Sequence, residues 1–331
     1  MKKRLWAMLM VTTLTISMTA CGNTGDKSGN ASNSSASVDD SEKIKVALVC
    51  KQLSDEHWAL LKKGAEQAAS DLGIEADVIG PKSESDVQQQ VEMIENELGS
   101  GIDALGIAPA TPDAVVTALQ QADSSGVPVI TVDTDLPDYA NKKSFVGTGG
   151  ESAGRMGGEY AASIAGEGGK AIILRGRAGD TTHAQREAGI IEGLKSGGVE
   201  VLEIRDCMAE AEKAMNAMQD MIVNYEQIDV VVTTCDTMAQ GAQRAIEGAN
   251  RDIPVVGFDG TASVVELVEQ GSVIKATVAQ APYEMGYLAI ETMVQLAKGK
   301  DVEERIDSGA TLVTKDNAEE YMKGLQEKIN S

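Results

Sequence analysis

Short apolar runs rich in β-branched residues alternate with longer amphipathic stretches from Lys43 onwards. In the first half of the chain this pattern predicts strands at 44–50, 75–79, 104–108 and 127–132, with helices at 57–72, 86–98 and 113–124 between them. Strict alternation of strands and helices is typical of parallel sheets covered by helices on both faces. The sequence therefore predicts an α/β fold built on doubly wound parallel sheets.

The second half of the chain repeats the first with a constant offset of 126 positions. Four pairs of segments show the offset: 46–48 with 172–174, 102–103 with 228–229, Pro128 with Pro254, and Asp133 with Asp259. We therefore expect two similar α/β lobes. Ligands of such sheets bind beyond the carboxyl ends of the strands, so a cleft between the lobes is the expected site.

The first 20 residues have the pattern of an export signal. Lys2, Lys3 and Arg4 precede an apolar run that ends near Met18 and is followed by Thr19-Ala20-Cys21. The alternative, a membrane anchor, needs roughly 20 apolar residues, and this run is shorter and interrupted by Thr and Ser. The small residues before Cys21 resemble the lipobox of bacterial lipoproteins, with Met18 in place of the more usual Leu. Cys21 is thus the predicted lipidation site, and 21–43 the predicted flexible tether.

Composition and charge remove several classes of function. A formal charge of −22 over 331 residues, with no basic stripe, argues against a nucleic-acid partner. Only two residues are His and 3% are aromatic, and no set of ligands has the spacing of a metal site. Cys50, Cys207 and Cys235 form an odd set, so the expectation is small buried side chains; a pair between Cys207 and Cys235 stays open.

Polar side chains follow the predicted strands in both halves and supply the candidate site. The set comprises Lys51, Asp55, His57, Trp58, Asp133, Thr134, Arg186, Cys235, Asp236 and Asp259. Each carboxylate could instead cap the helix that follows it, but recurrence at four strand ends favours a shared site. His57 and His183 also differ by 126 positions, so the two histidines occupy matching places.

No dinucleotide-binding, P-loop or metalloprotease motif is present in the sequence. The glycines at 147, 149 and 150 do not fit the spacing of a dinucleotide or P-loop motif, and a crossover between the lobes explains them better. No HExxH segment occurs. The pattern favours binding over catalysis and implies no cofactor.

Several of these segments together resemble the type I periplasmic-binding-protein superfamily, in particular its ribose-type sugar-binding members in bacterial ABC importers. The likeness covers 43–316 and is carried by His57-Trp58, by 126–133, by Arg186 with Gly189, by 255–261 and by 276–280. It implies two lobes joined by three crossovers, near Gly147, Gln280 and Gly309, that close on the ligand. Lobe 1 would then be 44–147 plus 281–308, and lobe 2 would be 148–280 plus 309–331.

The resemblance also implies ligand contacts. Asp55 stands where the family places a polar side chain, and His57 with Trp58 where two rings flank the sugar. The family's hydrogen-bonding positions match at Asp133, Arg186, Asp259 and Gln280. Three positions depart from the family: Thr134 replaces a common Arg, Cys235 replaces an Asn, and Ala209 stands where an aromatic residue of lobe 2 often closes the stack.

The expected protein is therefore a monomeric, lipid-anchored solute-binding protein on the extracytoplasmic face of the cell membrane. It would capture a monosaccharide or similar polyol and deliver it to an ABC permease. The alternative is a sensor that presents a sugar or furanosyl signal to a membrane receptor. A transcriptional regulator with the same core would need a DNA-binding segment where this chain has its predicted export signal, and an enzyme is the least favoured class.

Overall fold

The structure, a computed structural model, describes residues 43–54, 56–83, 85–177 and 179–330. The predicted signal peptide, Cys21, nearly all of the predicted tether and Asp55 lie outside the described residues. Among the helices in these ranges, none combines the length and the apolar character that crossing a membrane requires.

Twelve strands and ten helices are described, in an order that repeats once along the chain. The first half contains β1 (Lys45–Val49), α1 (Glu56–Leu72), β2 (Glu75–Ile79), α2 (Val87–Gly99), β3 (Ala104–Ile107), α3 (Pro112–Ser125), β4 (Val129–Val132) and β5 (Ser144–Gly147). The second half contains α4 (Gly150–Ala165), β6 (Lys170–Arg175), α5 (Thr181–Ser196), β7 (Glu200–Asp206), α6 (Ala211–Asn224), β8 (Val230–Thr233), α7 (Asp236–Gly248), β9 (Val255–Asp259), α8 (Ala262–Glu269) and β10 (Ile274–Gln280). The chain ends with α9 (Pro282–Ala297), β11 (Arg305–Asp307), β12 (Ala310–Thr314) and α10 (Ala318–Asn330).

The strands form two six-stranded sheets with closely similar topology. The orders are β11-β5-β4-β3-β1-β2 and β12-β10-β9-β8-β6-β7. Neighbouring strands pair in parallel, except that β12 runs antiparallel to β10. The prediction of two similar parallel-sheet α/β lobes is confirmed. The largest difference from the predicted bounds is at β4, which begins two residues later because Val127 still donates to Ala122 of α3 and Pro128 has no N–H to donate.

The backbone passes between the two sheets three times. It leaves the first sheet after β5, returns after β10 through α9, and leaves again between β11 and β12. The glycines at 147, 149 and 150 lie at the first of these passages. Lobe 1 is the first sheet with its helices, and lobe 2 is the second sheet with its helices.

Each central strand is buried on both faces. Val46 and Leu48 of β1 belong to one apolar cluster, whereas Ala47 and Val49 belong to another. In lobe 2, β6 divides in the same way between two clusters. Side chains alternate across a strand, so a sheet covered by helices on both sides needs an unbroken apolar run. The three described cysteines are free and buried, as expected.

Two close helix contacts set the positions of the helices that carry site residues. A Cβ on Gly64 of α1 would lie 1.8 Å from the carbonyl oxygen of Tyr283 in α9. A Cβ on Gly189 of α5 would lie 2.0 Å from the carbonyl oxygen of Glu151 in α4. Neither pair of helices could approach this closely with a larger residue, so glycine sets the spacing of α1 against α9 and of α5 against α4.

Candidate ligand-binding cleft

A cavity of about 600 Å³ lies between the two lobes at the carboxyl ends of their strands. This volume is within the range of small-molecule sites. Nine predicted ligand residues line it: Lys51, His57, Trp58, Asp133, Thr134, Arg186, Cys235, Asp259 and Gln280. Five of them come from lobe 1 and four from lobe 2, so a bound molecule would touch both lobes.

Asp133 is presented to the cavity by a tight γ-turn after β4. Thr134 N donates to Val132 O at 2.6 Å, and Asp133 between them has a φ of 64°. This turn is rare and strained, and strain of this kind accumulates at functional sites. Its Oδ2 lies 3.0 Å from His57 Nε2, and its Oδ1 accepts from Thr134 Oγ1 at 2.9 Å.

These partners keep the Asp133 carboxylate ionised. Burial alone would raise its pKa, but the hydrogen bond and charge of His57, the charge of Lys51 and the Thr134 hydroxyl together place the pKa below its usual range. A strong acceptor therefore stands on the lobe 1 side of the cavity, supported by a cationic or donating neighbour.

Arg186, Asp259 and Gln280 form the corresponding group in lobe 2. Arg186 Nη1 donates to Asp259 Oδ1 at 3.0 Å and to Thr234 O at 2.9 Å. Gln280 Nε2 donates to the same Asp259 oxygen at 2.9 Å. Asp259 Oδ2 makes no hydrogen bond to the described residues. One carboxylate oxygen is thus held by two donors, which orients the other for a ligand hydroxyl.

Arg186 is fixed in place by its surroundings. Its side chain is 8% exposed, and its guanidinium lies 4.0 Å from the centre of the Phe258 ring. The cation–π contact and a partly buried ion pair with Asp259 hold the planar group in one orientation. The remaining N–H groups of Arg186 have no hydrogen-bond partner among the described residues and are available to a ligand.

His57 and Trp58 lie near the start of α1. Their ring centres are 5.1 Å apart with an interplanar angle of 80°, so the rings meet edge to face. Trp58 is 4% exposed and belongs to an apolar cluster of lobe 1 while also lining the cavity. The indole is therefore both part of the core and part of the wall.

His183, the second histidine, lines the cavity from α5. Its Nδ1 lies 2.8 Å from Thr234 Oγ1, and burial together with the charge of Arg186 lowers its pKa. A neutral imidazole with one nitrogen engaged can serve a ligand with the other nitrogen. The two histidines thus keep matching places with different partners.

The departures at Thr134 and Cys235 both reduce the charge and polarity of the wall. The Thr134 hydroxyl donates its hydrogen bond to Asp133 Oδ1. Cys235 is 6% exposed, and burial raises the pKa of its thiol to about 12. A protonated thiol is a weak donor.

Lys51 lines the cavity on the lobe 1 side. Its ammonium group makes no hydrogen bond or ion pair with the described residues and is therefore available to a ligand.

Asp236 does not line the cavity, unlike Asp133 and Asp259. Its Oδ2 accepts from Thr261 N at 2.8 Å and Thr261 Oγ1 at 3.0 Å, and its Oδ1 accepts from Thr277 Oγ1 at 2.8 Å. The side chain joins α7 to the start of α8 and to β10 below the floor of the cleft. Burial and the charge of Asp259 raise its pKa. We therefore assign Asp236 a supporting role beneath the site.

Sequence reasoning did not single out four residues that shape the site. They are Thr234, Phe258, Met208 and Tyr321. Phe258 lies within the 255–261 segment that carries the resemblance, so the sequence contained a signal for it. A threonine or methionine in a loop belongs to no sequence pattern that would identify it as a site residue. Tyr321 reaches the cleft from α10 and donates to Gly260 O at 3.2 Å. Only the return of the C-terminal helix to the cleft brings it there.

The chemistry of the wall is that of hydrogen bonding. Carboxylates, an arginine, a glutamine and imidazoles line the cavity, with apolar surface from Trp58. In the part of the chain that the structure describes, no group of three or more His, Cys, Asp or Glu side chains could hold a metal ion. Such a wall suits a small molecule with many hydroxyl groups.

Comparisons with known proteins agree with this fold. A family model for the periplasmic binding protein domain matches residues 46–301. The ribose import binding protein of Haemophilus influenzae is 31% identical over 278 residues, which are 84% of this chain and 92% of that one. A solute-binding protein of an ABC transporter from Actinobacillus succinogenes, solved with bound D-allose, has a TM-score of 0.77 at 26% identity, covering 84% of this chain and 100% of the other.

A third comparison concerns the fold alone. A periplasmic ribose ABC transporter protein from Conexibacter woesei has a TM-score of 0.80 at 24% identity over 86% of this chain and 97% of its own. The chain belongs to the type I periplasmic-binding-protein family, whose members are solute-binding proteins. Its similarity within that family is to the ribose-type sugar-binding proteins of ABC importers.

Proposed function

We propose that this protein captures a monosaccharide or similar polyol and delivers it to an ABC importer. One observation carries the proposal: an ionised acceptor group in lobe 1, Asp133 with His57, and an oriented donor–acceptor group in lobe 2, Arg186 with Asp259, line the same cavity. Paired hydroxyls of a sugar both donate and accept, so each group can bind one edge of the ring. The relatives' names support the same ligand class.

The two-lobed arrangement supports capture by closure. Contacts from both lobes to one ligand are complete only when the lobes approach, so the ligand favours the closed form. The closed form is then the natural signal to a permease. We propose that the protein acts as a monomer. We also propose no cofactor and no catalytic step, since the groups in the cleft bind and orient a ligand without an activated nucleophile.

Binding is tested with a panel of D-ribose, D-allose, D-xylose, xylitol and myo-inositol. A member present at 100 times its dissociation constant should stabilise the protein by about 2.7 kcal/mol, which a thermal-shift assay detects. Calorimetric titration then gives the affinity. An amino-acid panel is the control and should produce no shift. Stabilisation by amino acids with none by sugars or polyols would contradict the proposal.

We also propose that Cys21 carries a lipid and anchors the protein outside the cytoplasmic membrane. The support is the sequence around Cys21 and the Gly-, Ser- and Asn-rich stretch that follows it. We expect Cys21→Ser to move the protein from the membrane fraction to the soluble fraction or the medium, because a single residue would carry all of the acyl chains. Ser35→Ala, a substitution within the tether, is the control. Membrane retention of the Cys21→Ser protein, measured by fractionation and immunoblot, would refute the anchor.

A further inference from the structure

A strained turn at the edge of the cleft carries two side chains where glycine or asparagine would be expected. Glu210 N donates to Cys207 O at 2.9 Å, which closes a turn over Met208 and Ala209. Both central residues are left-handed, with φ of 57° and 58°. Turns with two positive φ values strongly prefer Asn-Gly, Asp-Gly or Gly-Gly.

The strain is greater than a simple chain reversal requires. A left-handed conformation places the Cβ of an L-residue close to the carbonyl oxygen, which costs roughly 1 kcal/mol or more per residue. Strained non-glycine residues persist where the surrounding structure demands them and where their side chains serve a function. The strain of this turn therefore indicates a function for the Met208 side chain.

Met208 faces the cleft. It is 37% exposed and lines the cavity between the lobes. Three other large apolar side chains are exposed among the described residues, Leu72, Val116 and Val223, and none of them lines the cavity. Among the exposed large apolar side chains of the described residues, Met208 is thus the one that lies in the cleft.

The position of Met208 completes the cleft wall. Trp58 supplies apolar surface from lobe 1. The corresponding surface of lobe 2 cannot come from Ala209, because a methyl group covers little of a sugar ring. Met208, next to Ala209 and in the same turn, has the length to do so. Its unbranched thioether adapts to the shape of its partner better than a flat ring does.

We propose that Met208 is the apolar wall of lobe 2 and a specificity-determining residue of the site. It packs its thioether against C–H groups on one face of the ligand, while Trp58 provides apolar surface from lobe 1. The ligand class that fits is a sugar or polyol with C–H groups exposed on the face turned towards lobe 2. This inference rests on the proposed function.

The decisive variant is Met208→Asn, which removes the thioether and places in the turn a residue that tolerates the left-handed conformation. We expect the dissociation constant for the tightest-binding panel member to rise about tenfold, as loss of part of a buried methionine surface implies. The melting temperature of the unliganded protein should stay the same or rise. Met208→Leu, which keeps an apolar wall, should bind within about threefold of the wild type.

Val223→Asn is the matched control, because Val223 is 85% exposed and lies outside the cleft. It should leave affinity unchanged. Wild-type affinity in Met208→Asn would overturn the inference while the proposed function stands. A parallel fall in affinity and unliganded melting temperature would overturn it too, since it would show a structural role. If the wild type binds no sugar or polyol, the proposed function fails and this inference fails with it.

Discussion

Arg186→Met is expected to reduce ligand affinity about 100-fold and to destabilise the fold by about 2 kcal/mol, because truncating one member of a partly buried charge pair leaves the other without its partner. The substitution removes the donor to Asp259 Oδ1 and to Thr234 O and leaves Asp259 with Gln280 as its hydrogen-bond donor. Methionine keeps much of the apolar part of the arginine side chain. The loss of affinity and stability therefore arises from removal of the guanidinium group and not from a new cavity. Calorimetric titration and thermal denaturation measure the two effects.

Arg155→Met is the matched control for this variant. Arg155 forms an ion pair with Glu192 on the surface, where both side chains are nearly half exposed. Exposed pairs contribute about 1 kcal/mol or less to stability. Affinity should be unchanged and the melting temperature nearly so. Equal losses in the two variants would show that Arg186 acts through general stability and not through the site.

Asp236→Asn is expected to remove a component of the pH dependence of stability while leaving ligand affinity within about threefold of the wild type. The folded-state pKa of Asp236 is raised by burial and by the charge of Asp259. Between the unfolded and folded pKa values the folded state holds more protons, so this group makes the wild type more stable as pH falls from neutral towards the usual aspartate range. Asparagine cannot titrate, so the variant lacks that gain.

The measurement compares melting temperatures of the two proteins from pH 7.5 to pH 4.5. The melting temperature of the wild type relative to that of Asp236→Asn should rise as pH falls. Asp301→Asn, an exposed loop position, is the control and should follow the wild-type curve. Asp236→Ala should be the more damaging change, since it leaves the Thr261 N–H and two threonine hydroxyls without their acceptor, at about 1 to 3 kcal/mol for each buried group left unsatisfied. A large loss of affinity in Asp236→Asn without a change in stability would instead place the residue in the site.

The sequence by itself determined the class of fold and the region of the site. Apolar runs at β1 and β6 divide between two clusters because side chains alternate across a strand, and that periodicity is local. The 126-residue repeat places Asp133 and Asp259 at corresponding strand ends, so the sequence alone identifies both carboxylates. Parallel strands bring their carboxyl ends to one edge, and nine of the predicted residues accordingly line the cleft.

Only the tertiary structure decided which way neighbouring side chains point and which distant residues meet. Cys235 and Asp236 are adjacent in sequence, yet one lines the cleft and the other binds Thr261 and Thr277 below it, because α7 begins between them and turns their side chains apart. Met208 enters the cleft through a turn with unfavourable dihedral angles, and Tyr321 enters from a helix at the end of the chain. Sequence periodicity records local preferences, whereas these placements depend on contacts between segments far apart in the chain.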